Sequence, residues 1–386
     1  MARLLAVSTL WTGPAIERMV RAAWDAGDAV VVIPDLPAPA REVLIAATMP
    51  AAELACDEAG WITEEATGVD SPPLDDGDAL VVVTSGSTGT PKVLVHTHDS
   101  LRAHALAVHA HLQVDPATDR WLACLPLSHL GGFGVLARSI LTDTPVDVLD
   151  RFDERTVTAA PAELGSTLVS LVATALDRID ASPYRWVVLG GSGDPTPRAG
   201  NVVHTYGLTE TGGGVVYGRV PLPGVEVRID DADRSPGPIF LRTPTMARGR
   251  RDADGTVHAI AEADGWLATA DLGHWADDGH LVVDGRADDL IITGGENVWP
   301  APIEAALRTH PQVADVMVRG EPDPEWGQRV GAVVVPADPS DPPTLDALRA
   351  HAKATLPPAH APRSVMLVDV IPRTALGKPA RSARLP

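Results

Sequence analysis

The sequence has few cysteines and no long hydrophobic run. Its two cysteines, Cys56 and Cys124, cannot build a disulfide framework, and Cys124 lies in the apolar run WLACLPL, so we predict two buried thiols. No stretch of about 18 uncharged apolar residues is present to span a bilayer, and the opening residues MARLLAVSTLWTG lack the long apolar region of a secretory signal. These absences predict a cytoplasmic protein without a membrane partner.

Basic side chains are also scarce. The 31 Lys and Arg residues face 51 Asp and Glu residues, which gives a formal net charge of −20 and argues against nucleic acid as a partner. An anionic ligand would need a locally basic site, so each Lys or Arg in a cleft is informative. With 386 residues, 45% of them hydrophobic, the chain is long enough for two or more domains with a large core.

The stretch LVVVTSGSTGTPK at 80–92 is the most informative part of the sequence. Apolar, largely β-branched residues at 80–83 predict a buried strand, and a loop rich in Gly, Ser and Thr follows it up to Lys92. Glycines let the backbone approach an anion, and successive N–H groups, hydroxyls and an ammonium can donate to phosphate. A Walker A loop is excluded, because Thr-Pro separates Gly89 from Lys92 and Val93 follows the lysine. The residues alone leave open a phosphate-binding loop and a surface turn.

The surrounding chain alternates helices and strands. A helix, a Gly-Asp turn and a strand at 29–33 are predicted near the start, and a helix capped by Asp99 or Ser100 is predicted to run to about Leu112. Residues 121–141 predict a strand, a loop and a buried helix. Five histidines of this region have no spacing typical of a zinc site and are predicted to be packed or solvated. They are His96, His98, His104, His109 and His111.

The second half of the chain changes character. Residues 215–285 contain many short β-type runs between Gly, Pro and Asp turns and predict a β-rich subdomain. A strand, a Gly-Gly turn and a helix whose first turn carries Glu304 follow. The remaining residues predict two strands, a helix and a last strand, which is a small α+β domain. The fold class is therefore α/β, with a large multi-layer domain in which helices flank β-sheets, followed by a small α+β domain.

A series of segments resembles the motifs of the adenylate-forming superfamily, which contains acyl-CoA synthetases, peptide-synthetase adenylation domains and luciferases. The segments, in chain order, are TSGSTGTPK (84–92), PLSHLGGF (126–133), GGS (190–192), YGLTE (206–210), GWLATAD (265–271), GRADD (285–289), TGGEN (293–297) and PRTALGKPAR (372–381). The resemblance covers residues 80–386. Residues 1–79 are short for the family, so no family site is carried onto them. Ala270 stands where the family usually has Gly, which is a small steric change.

The resemblance implies an ATP site. Tyr206 would stack on the adenine, Thr209 would contact the α-phosphate, Glu210 would bind Mg²⁺, and Asp271 and Arg286 would contact the ribose. The implied ATP-binding residues are Thr84, Ser85, Gly86, Ser87, Thr88, Gly89, Lys92, Gly190, Gly191, Ser192, Tyr206, Gly207, Thr209, Asp271 and Arg286.

The resemblance also implies a catalytic lysine and two domains. Lys378 would neutralise charge on the α-phosphate and the acyl oxygens. His129 would act at the acid-binding site, and Asp288 would be the hinge between an N-terminal domain at 1–285 and a mobile C-terminal domain at 286–386. The implied catalytic residues are Lys378, Glu210 and His129, the acid pocket comprises His129, Gly131 and Gly132, and the CoA channel comprises Gly294, Gly295 and Glu296.

Two half-reactions follow from this resemblance. A carboxylate attacks the α-phosphorus of ATP to give acyl-AMP and pyrophosphate, and the thiol of coenzyme A then attacks the acyl carbon and releases AMP. The implied ligands are ATP, Mg²⁺, coenzyme A and a small carboxylic acid. Within the superfamily, the short N-terminal region, PLSHLGGF and TGGENVWPAPIE look most like the compact o-succinylbenzoate–CoA ligases of menaquinone biosynthesis. That acid is an aromatic dicarboxylate, and no residue of the sequence identifies the partner of its second carboxylate.

Three alternatives stay open at this point. The chain could be another aromatic or medium-chain acyl-CoA ligase, or an adenylating enzyme that passes the acid to a carrier-protein thiol or an amine. It could also be a nucleotide-binding regulator without turnover, which the retained Glu210, Asp271 and Lys378 disfavour. Isologous dimers are the commonest assembly of soluble proteins, so a homodimer is predicted on this general frequency alone.

Overall fold

The computed structural model describes residues 1–57, 59–85, 91–191, 198–230, 236–373 and 381. The strands are β1 (Leu4–Ser8), β2 (Ala29–Ile33), β3 (Ala52–Cys56), β4 (Ile62–Ala66), β5 (Asp78–Ser85), β6 (Pro91–Thr97), β7 (Trp121–Ala123), β8 (Val146–Val148), β9 (Leu168–Val172), β10 (Trp186–Gly190), β11 (Val202–Leu208), β12 (Gly213–Tyr217), β13 (Val220–Pro221), β14 (Glu226–Ile229), β15 (Gly237–Arg242), β16 (Gly249–Arg251), β17 (Val257–His258), β18 (Leu267–Trp275), β19 (Leu281–Arg286), β20 (Ile291–Thr293), β21 (Glu296–Val298), β22 (Val313–Asp323), β23 (Gly327–Pro336) and β24 (Ser364–Leu367). The helices are α1 (Gly13–Asp25), α2 (Ala38–Thr48), α3 (His98–Leu112), α4 (Leu130–Thr142), α5 (Glu154–Glu163), α6 (Ala173–Leu176), α7 (Pro300–Arg308) and α8 (Leu345–Lys353).

The first 97 residues build most of an eight-stranded sheet with the order β17-β16-β6-β5-β2-β1-β3-β4. Strands β3, β1, β2 and β5 run parallel, and β6 returns antiparallel to β5. The runs LLAVS in β1 and AVVVI in β2 are buried along their whole length, as parallel strands covered on both faces require. The predicted strand at 29–33 is therefore confirmed.

A seven-stranded sheet with the order β13-β12-β11-β10-β9-β7-β8 follows. The predicted strand, loop and buried helix at 121–141 are confirmed as β7 and α4. Helix α3 ends at Leu112 as predicted, but its predicted caps are wrong. Strand β6 continues to Thr97, so Thr97 is the N-cap, and its hydroxyl accepts a hydrogen bond from the Ser100 N–H at 3.1 Å.

The β-rich region and the C-terminal region are confirmed as well. Strands β14, β15, β18 and β19 form a four-stranded sheet, and β21-β20-β23-β22 form a second sheet to which β24 adds beside β23. Helices α7 and α8 belong to the same region as this last sheet, whose core contains Ile291, Ile303 and Leu348. The placement of Glu304 in a first helical turn is wrong. The short strand β21 lies between the Gly-Gly turn and α7, and α7 begins at Pro300, so Glu304 lies in its second turn.

The chain divides into two compact units. Unit 1 comprises residues 1–192, 197–228 and 240–268, and unit 2 comprises residues 193–196, 229–239 and 269–386. The boundary at 285/286, which came from the hinge motif, stays a prediction. Both cysteines are buried and free, as predicted. Within the described ranges, no helix is long and apolar enough to cross a membrane.

Candidate active site

The predicted phosphate loop lies at the end of a β-hairpin in unit 1. Strands β5 and β6 pair antiparallel up to Ser85 opposite Pro91, and Thr84 lies opposite Lys92. The Lys92 side chain is exposed. Residues Gly86, Ser87, Thr88 and Gly89 and the Ser85 side chain lie outside the described part of the chain. The hairpin thus brings the two described ends of the loop side by side.

The YGLTE segment lies at the end of β11, where a 3₁₀ turn spans Thr209–Thr211. Tyr206 lies in the strand and is half-buried. Gly207 is required by the fold, because a Cβ atom there would lie 2.0 Å from the carbonyl oxygen of Gly213 on β12. The Glu210 carboxylate is half-buried, and it has no hydrogen bond or ion pair among the residues that the structure describes. This segment therefore presents an aromatic ring, a hydroxyl and an uncompensated carboxylate in succession.

The Gly190-Gly191 turn reaches the same edge of the seven-stranded sheet. Strands β10 and β11 are parallel, with Leu189 opposite His204, so Gly191 and Tyr206 follow two residues further along their strands. Gly191 has a φ of +107°, a conformation that favours glycine. Ser192 lies outside the described ranges. The carboxyl edge of a parallel sheet is where α/β proteins bind ligands.

A buried histidine joins the hairpin to the YGLTE turn. His96 on β6 has no solvent exposure, and its Nε2 lies 2.9 Å from the carbonyl oxygen of Thr209. Because a carbonyl only accepts, Nε2 carries the proton and donates. The Ala247 N–H donates to the carbonyl oxygen of Glu210 at 2.8 Å, and the following strand β16 pairs with β6. Strand β6 and the turn are therefore held together beside the phosphate loop.

Burial keeps the histidines of this region neutral. It lowers the pKa of His96 to about 4 from the ordinary 6.5, and burial together with the nearby Arg138 guanidinium lowers the pKa of His104 to about 3. The Nε2 of His104 lies 2.9 Å from the Gly214 carbonyl oxygen, and the Nε2 of His109 accepts from the Trp121 indole at 3.2 Å. The predicted packing of histidines is confirmed for these three.

We expect acid to destabilise the protein through His96 and His104. In the unfolded chain these histidines are protonated near pH 6.5, whereas in the folded protein they stay neutral down to about pH 4. Their contribution to the free energy of unfolding is therefore complete above about pH 6.5 and is lost as the pH falls from there towards 4. The free energy of unfolding should fall by about 1.4 kcal/mol per pH unit for each histidine. Urea unfolding of the wild type between pH 7.5 and 5 measures this slope.

A single variant isolates the contribution of His104. His104→Gln should flatten the pH dependence of the free energy of unfolding by about one proton. An identical slope in the wild type and His104→Gln would contradict the assignment.

The predicted acid-pocket residues differ in their surroundings. His129 is the N-cap residue of α4, its side chain makes no capping hydrogen bond, and burial lowers its pKa. Gly131 is exposed. Gly132 has no room for a side chain, because a Cβ atom there would lie 2.4 Å from the carbonyl oxygens of Leu125 and Pro126, and its place in the acid pocket stays a prediction. Gly132 lets α4 pack against the preceding loop.

The predicted ribose contacts form a pair in unit 2. Asp271 on β18 lies opposite Arg286 on β19, and the Arg286 Nη1 is 3.9 Å from the Asp271 Oδ1. The Asp271 side chain is buried, whereas Arg286 and Asp288 are exposed. Arg286 Nη2 also lies 3.5 Å from Asp288 Oδ2. The guanidinium is therefore held between a strand carboxylate and the predicted hinge residue.

The predicted CoA-channel residues form the turn of the β20–β21 hairpin. Thr293 lies opposite Glu296, and the two residues between them, Gly294 and Gly295, have φ values of +60° and +83°. Two positive φ angles are what a type I′ turn requires, and glycine adopts them without strain. Glu296 is exposed beside this turn. Lys378 lies outside the described residues.

Comparison with known proteins assigns the family. Residues 2–249 match the family described as AMP-binding enzyme, and residues 302–378 match the AMP-binding enzyme C-terminal domain. The chain belongs to the AMP-binding enzyme family. The resemblance to adenylate-forming enzymes, the α/β fold with a small C-terminal domain and the class of AMP-forming ligase are thereby confirmed.

Three relatives of this AMP-binding enzyme carry related names. A protein of Mycobacterium tuberculosis named "probable 2-succinylbenzoate–CoA ligase" is 42% identical over 332 residues, which are 80% of this chain and 84% of that protein. The 2-succinylbenzoate–CoA ligase of Bacillus velezensis is 33% identical over 86% of this chain and 72% of its own length. The solved o-succinylbenzoate CoA synthetase of Bacillus subtilis, in complex with its acyl-adenylate intermediate, is 25% identical with a TM-score of 0.82, covering 99% of this chain and 88% of that one.

The donors of this AMP-binding enzyme suit Mg²⁺ held together with phosphate. The described residues contain no cluster of three or more His, Cys, Asp or Glu side chains that could cage a metal. Mg²⁺ commonly binds through one or two carboxylates plus substrate phosphates and water, and the Glu210 carboxylate could supply such a ligand. A structure of the same Bacillus subtilis synthetase has ATP and a magnesium ion bound.

The sequence reading missed Arg138, the one charged residue of α4. It is 5% exposed, its Nε and Nη1 have no hydrogen-bond partner within the described ranges, and its guanidinium carbon lies 4.5 Å from the centre of the Trp121 ring. Helix α4 packs against α3 and β12, so this cation lies close to His104 and Tyr217. A buried cation without a carboxylate partner among the residues described is costly. A lone arginine in the apolar run LGGFGVLARSIL was the available signal.

Proposed function

We propose that this AMP-binding enzyme is an ATP-dependent o-succinylbenzoate–CoA ligase that works through an acyl-adenylate and serves menaquinone biosynthesis. The observation that carries the proposal is the relationship to ligases named for this acid, at 42% identity over four-fifths of the chain. The β5–β6 hairpin that carries the predicted phosphate loop is joined by His96 to the YGLTE turn, and this arrangement suits the adenylation step. A homodimer stays a base-rate prediction.

In the first half-reaction the acid and the triphosphate are both anionic, so positioning and charge neutralisation dominate. The hairpin loop would hold the polyphosphate through its backbone N–H groups, its hydroxyls and Lys92. Tyr206 would stack on the adenine and Thr209 would contact the α-phosphate. Mg²⁺ on Glu210 would neutralise phosphate charge when bound. Lys378 would stabilise the charge that builds on the α-phosphate and the acyl oxygens as the acid oxygen bonds to phosphorus and pyrophosphate leaves.

The second half-reaction needs no general acid, because AMP is a good leaving group. The sulfur of coenzyme A bonds to the acyl carbon, and the acyl–phosphate bond breaks to release AMP. In the proposed scheme, rotation at Asp288 brings Gly294, Gly295 and Glu296 to the thiol channel after pyrophosphate leaves. The two-glycine turn can lie close to a ligand because neither residue has a side chain.

Arg138 is the best candidate partner for the second carboxylate of the acid. Arginine remains charged at neutral pH and binds carboxylates through two parallel N–H donors, and Arg138 has two donors without partners. It lies on the helix that His129 begins, and α4 contacts β12, the strand after the Glu210 turn. An anion at Arg138 would compensate the buried charge.

Product analysis tests the proposal. We would incubate the enzyme with ATP, Mg²⁺, coenzyme A and a panel of acids that includes o-succinylbenzoate, and identify the products by mass spectrometry. The expected result is an o-succinylbenzoyl-CoA peak well above all others, together with AMP and pyrophosphate. A different acyl-CoA would overturn the substrate but keep the chemistry. Acyl-AMP without any thioester would overturn coenzyme A as the acceptor and favour a carrier-protein thiol or an amine.

A further inference from the structure

Glu304 is a buried carboxylate of α7 in unit 2, outside the ATP site described above. Its side chain is 6% exposed. Its Oε1 accepts hydrogen bonds from the Val318 N–H at 2.9 Å and from Arg381 Nη2 at 2.7 Å, and its Oε2 lies 3.6 Å from Arg308 Nη2. A buried carboxylate is tolerated only when it is paired and hydrogen-bonded. Arg381 is its nearest cation and therefore a necessary partner.

Arg381 connects three elements of the same unit. Besides Glu304, its Nε donates to the carbonyl oxygen of Val318 on β22 at 3.1 Å, and its Nη1 lies 3.6 Å from Asp289 Oδ2 in the 3₁₀ turn Ala287–Asp289. The planar guanidinium can serve three acceptors at once, which a lysine ammonium on a flexible stem does with less geometric definition. The chain at residue 381 is therefore fastened to α7, to β22 and to the turn that carries Asp288.

The chain is also fastened at Ile371 and Arg373, where the PRTALGKPAR segment begins. Ile371 is buried against Met317 and Val333, and Arg373 forms an ion pair with Asp315 on β22. The described chain is thus anchored at Arg373 and again at Arg381, and their contacts on β22, Asp315 and Val318, are three residues or about 10 Å apart along the strand. Lys378 is three residues from Arg381, so covalent geometry keeps the two Cα atoms within about 11 Å.

We propose that Glu304 and Arg381 are positioning residues for Lys378, and that their ion pair holds the lysine-bearing segment where adenylation needs it. The inference rests on the proposed function, in which Lys378 acts in the first half-reaction. Without the pair, the described chain loses its attachment after Arg373, which should leave Lys378 less well positioned. Thioester formation does not use Lys378, so it should not depend on the pair.

The test measures the two half-reactions separately on the full-length enzyme. ATP–pyrophosphate exchange with o-succinylbenzoate reports adenylation, and release of AMP from supplied acyl-AMP and coenzyme A reports thioester formation. Arg381→Met and Glu304→Gln should each lower the kcat of adenylation by about tenfold or more with little change in the KM for ATP, since a misplaced catalytic group costs rate rather than binding. Both variants should form thioester at the wild-type rate, and Arg381→Lys should recover part of the lost adenylation.

Glu321→Gln is the matched control. Glu321 also pairs with an arginine within unit 2, Arg329, at 3.1 Å, but this pair includes neither Glu304 nor Arg381. The control should leave both half-reactions unchanged. The proposal is overturned if Arg381→Met adenylates normally, or if it loses both half-reactions equally, which would indicate a role in folding alone.

Lys378→Ala in the same assays separates this inference from the proposed function. Normal adenylation by Lys378→Ala would overturn the role of the lysine and the positioning role with it. Loss of adenylation in Lys378→Ala alongside a normal rate in Arg381→Met would overturn only the positioning role.

Discussion

Replacing Lys378 with alanine is expected to lower adenylation by at least about 100-fold, the usual cost of removing one group that stabilises transition-state charge. The acid carboxylate and the triphosphate repel each other, and negative charge builds on the α-phosphate and acyl oxygens as the new bond forms. A single ammonium at that place would be worth far more than one in water, because a closed site excludes solvent. ATP–pyrophosphate exchange measures the effect.

The same variant should form thioester from supplied acyl-AMP and coenzyme A at close to the wild-type rate, because AMP leaves without protonation. The chain has three lysines, Lys92, Lys353 and Lys378, so Lys353→Ala on α8 is the matched control and should retain both activities. Equal loss of both half-reactions in Lys378→Ala would refute the division of labour between the two steps and the rotation that it implies.

Replacing Arg138 with methionine should separate stability from substrate choice. With o-succinylbenzoate, kcat/KM is expected to fall by about 100-fold, in line with the 2–5 kcal/mol that truncating one partner of a buried charge pair costs. With 4-oxo-4-phenylbutanoate, which lacks the second carboxylate, the variant and the wild type should have the same kcat/KM. The thermal stability of the free enzyme should stay the same or rise, because a buried cation without a carboxylate partner is replaced by an apolar side chain of similar volume.

Arg102→Met on the neighbouring helix α3 is the control for this experiment. Arg102 is exposed and donates to the Leu141 carbonyl oxygen at 3.3 Å. Its replacement should leave the ratio of kcat/KM for the two acids unchanged. An equal loss of activity on both acids in Arg138→Met would place Arg138 outside recognition of the second carboxylate. A fall in melting temperature of the free enzyme would show that the cation is compensated in the folded protein.

Local patterns predicted the elements well where one signal dominated. The apolar run at 29–33 is a strand, and the helix predicted to end near Leu112 ends there. Continuous apolar residues bounded by turns form buried strands almost wherever they occur in an α/β protein. The motif segments were equally clear, because they combine residue types that are rarely found together.

The differences between prediction and structure came from neighbours that a linear reading does not include. Asp99 and Ser100 are good capping residues, but β6 stays paired with β5 up to Thr97. Thr97 is therefore the N-cap, two or three residues earlier than predicted. Gly132 is suitable for a ligand contact by its residue type alone. The carbonyl oxygens of residues 125 and 126 fill the space beside it, so its small size serves packing.

The sequence by itself determined the superfamily, the order of its motifs and the chemistry to expect of them, because phosphate binding, adenine stacking and Mg²⁺ ligation depend on residue types at short spacings. Only the tertiary structure decided how those motifs are connected. His96 reaches Thr209 across 113 residues, and Arg381 reaches Glu304 across 77. It also identified Arg138 as a buried cation without a carboxylate partner in the described chain. Burial and long-range hydrogen bonds arise from packing distant segments together, which local pattern does not encode.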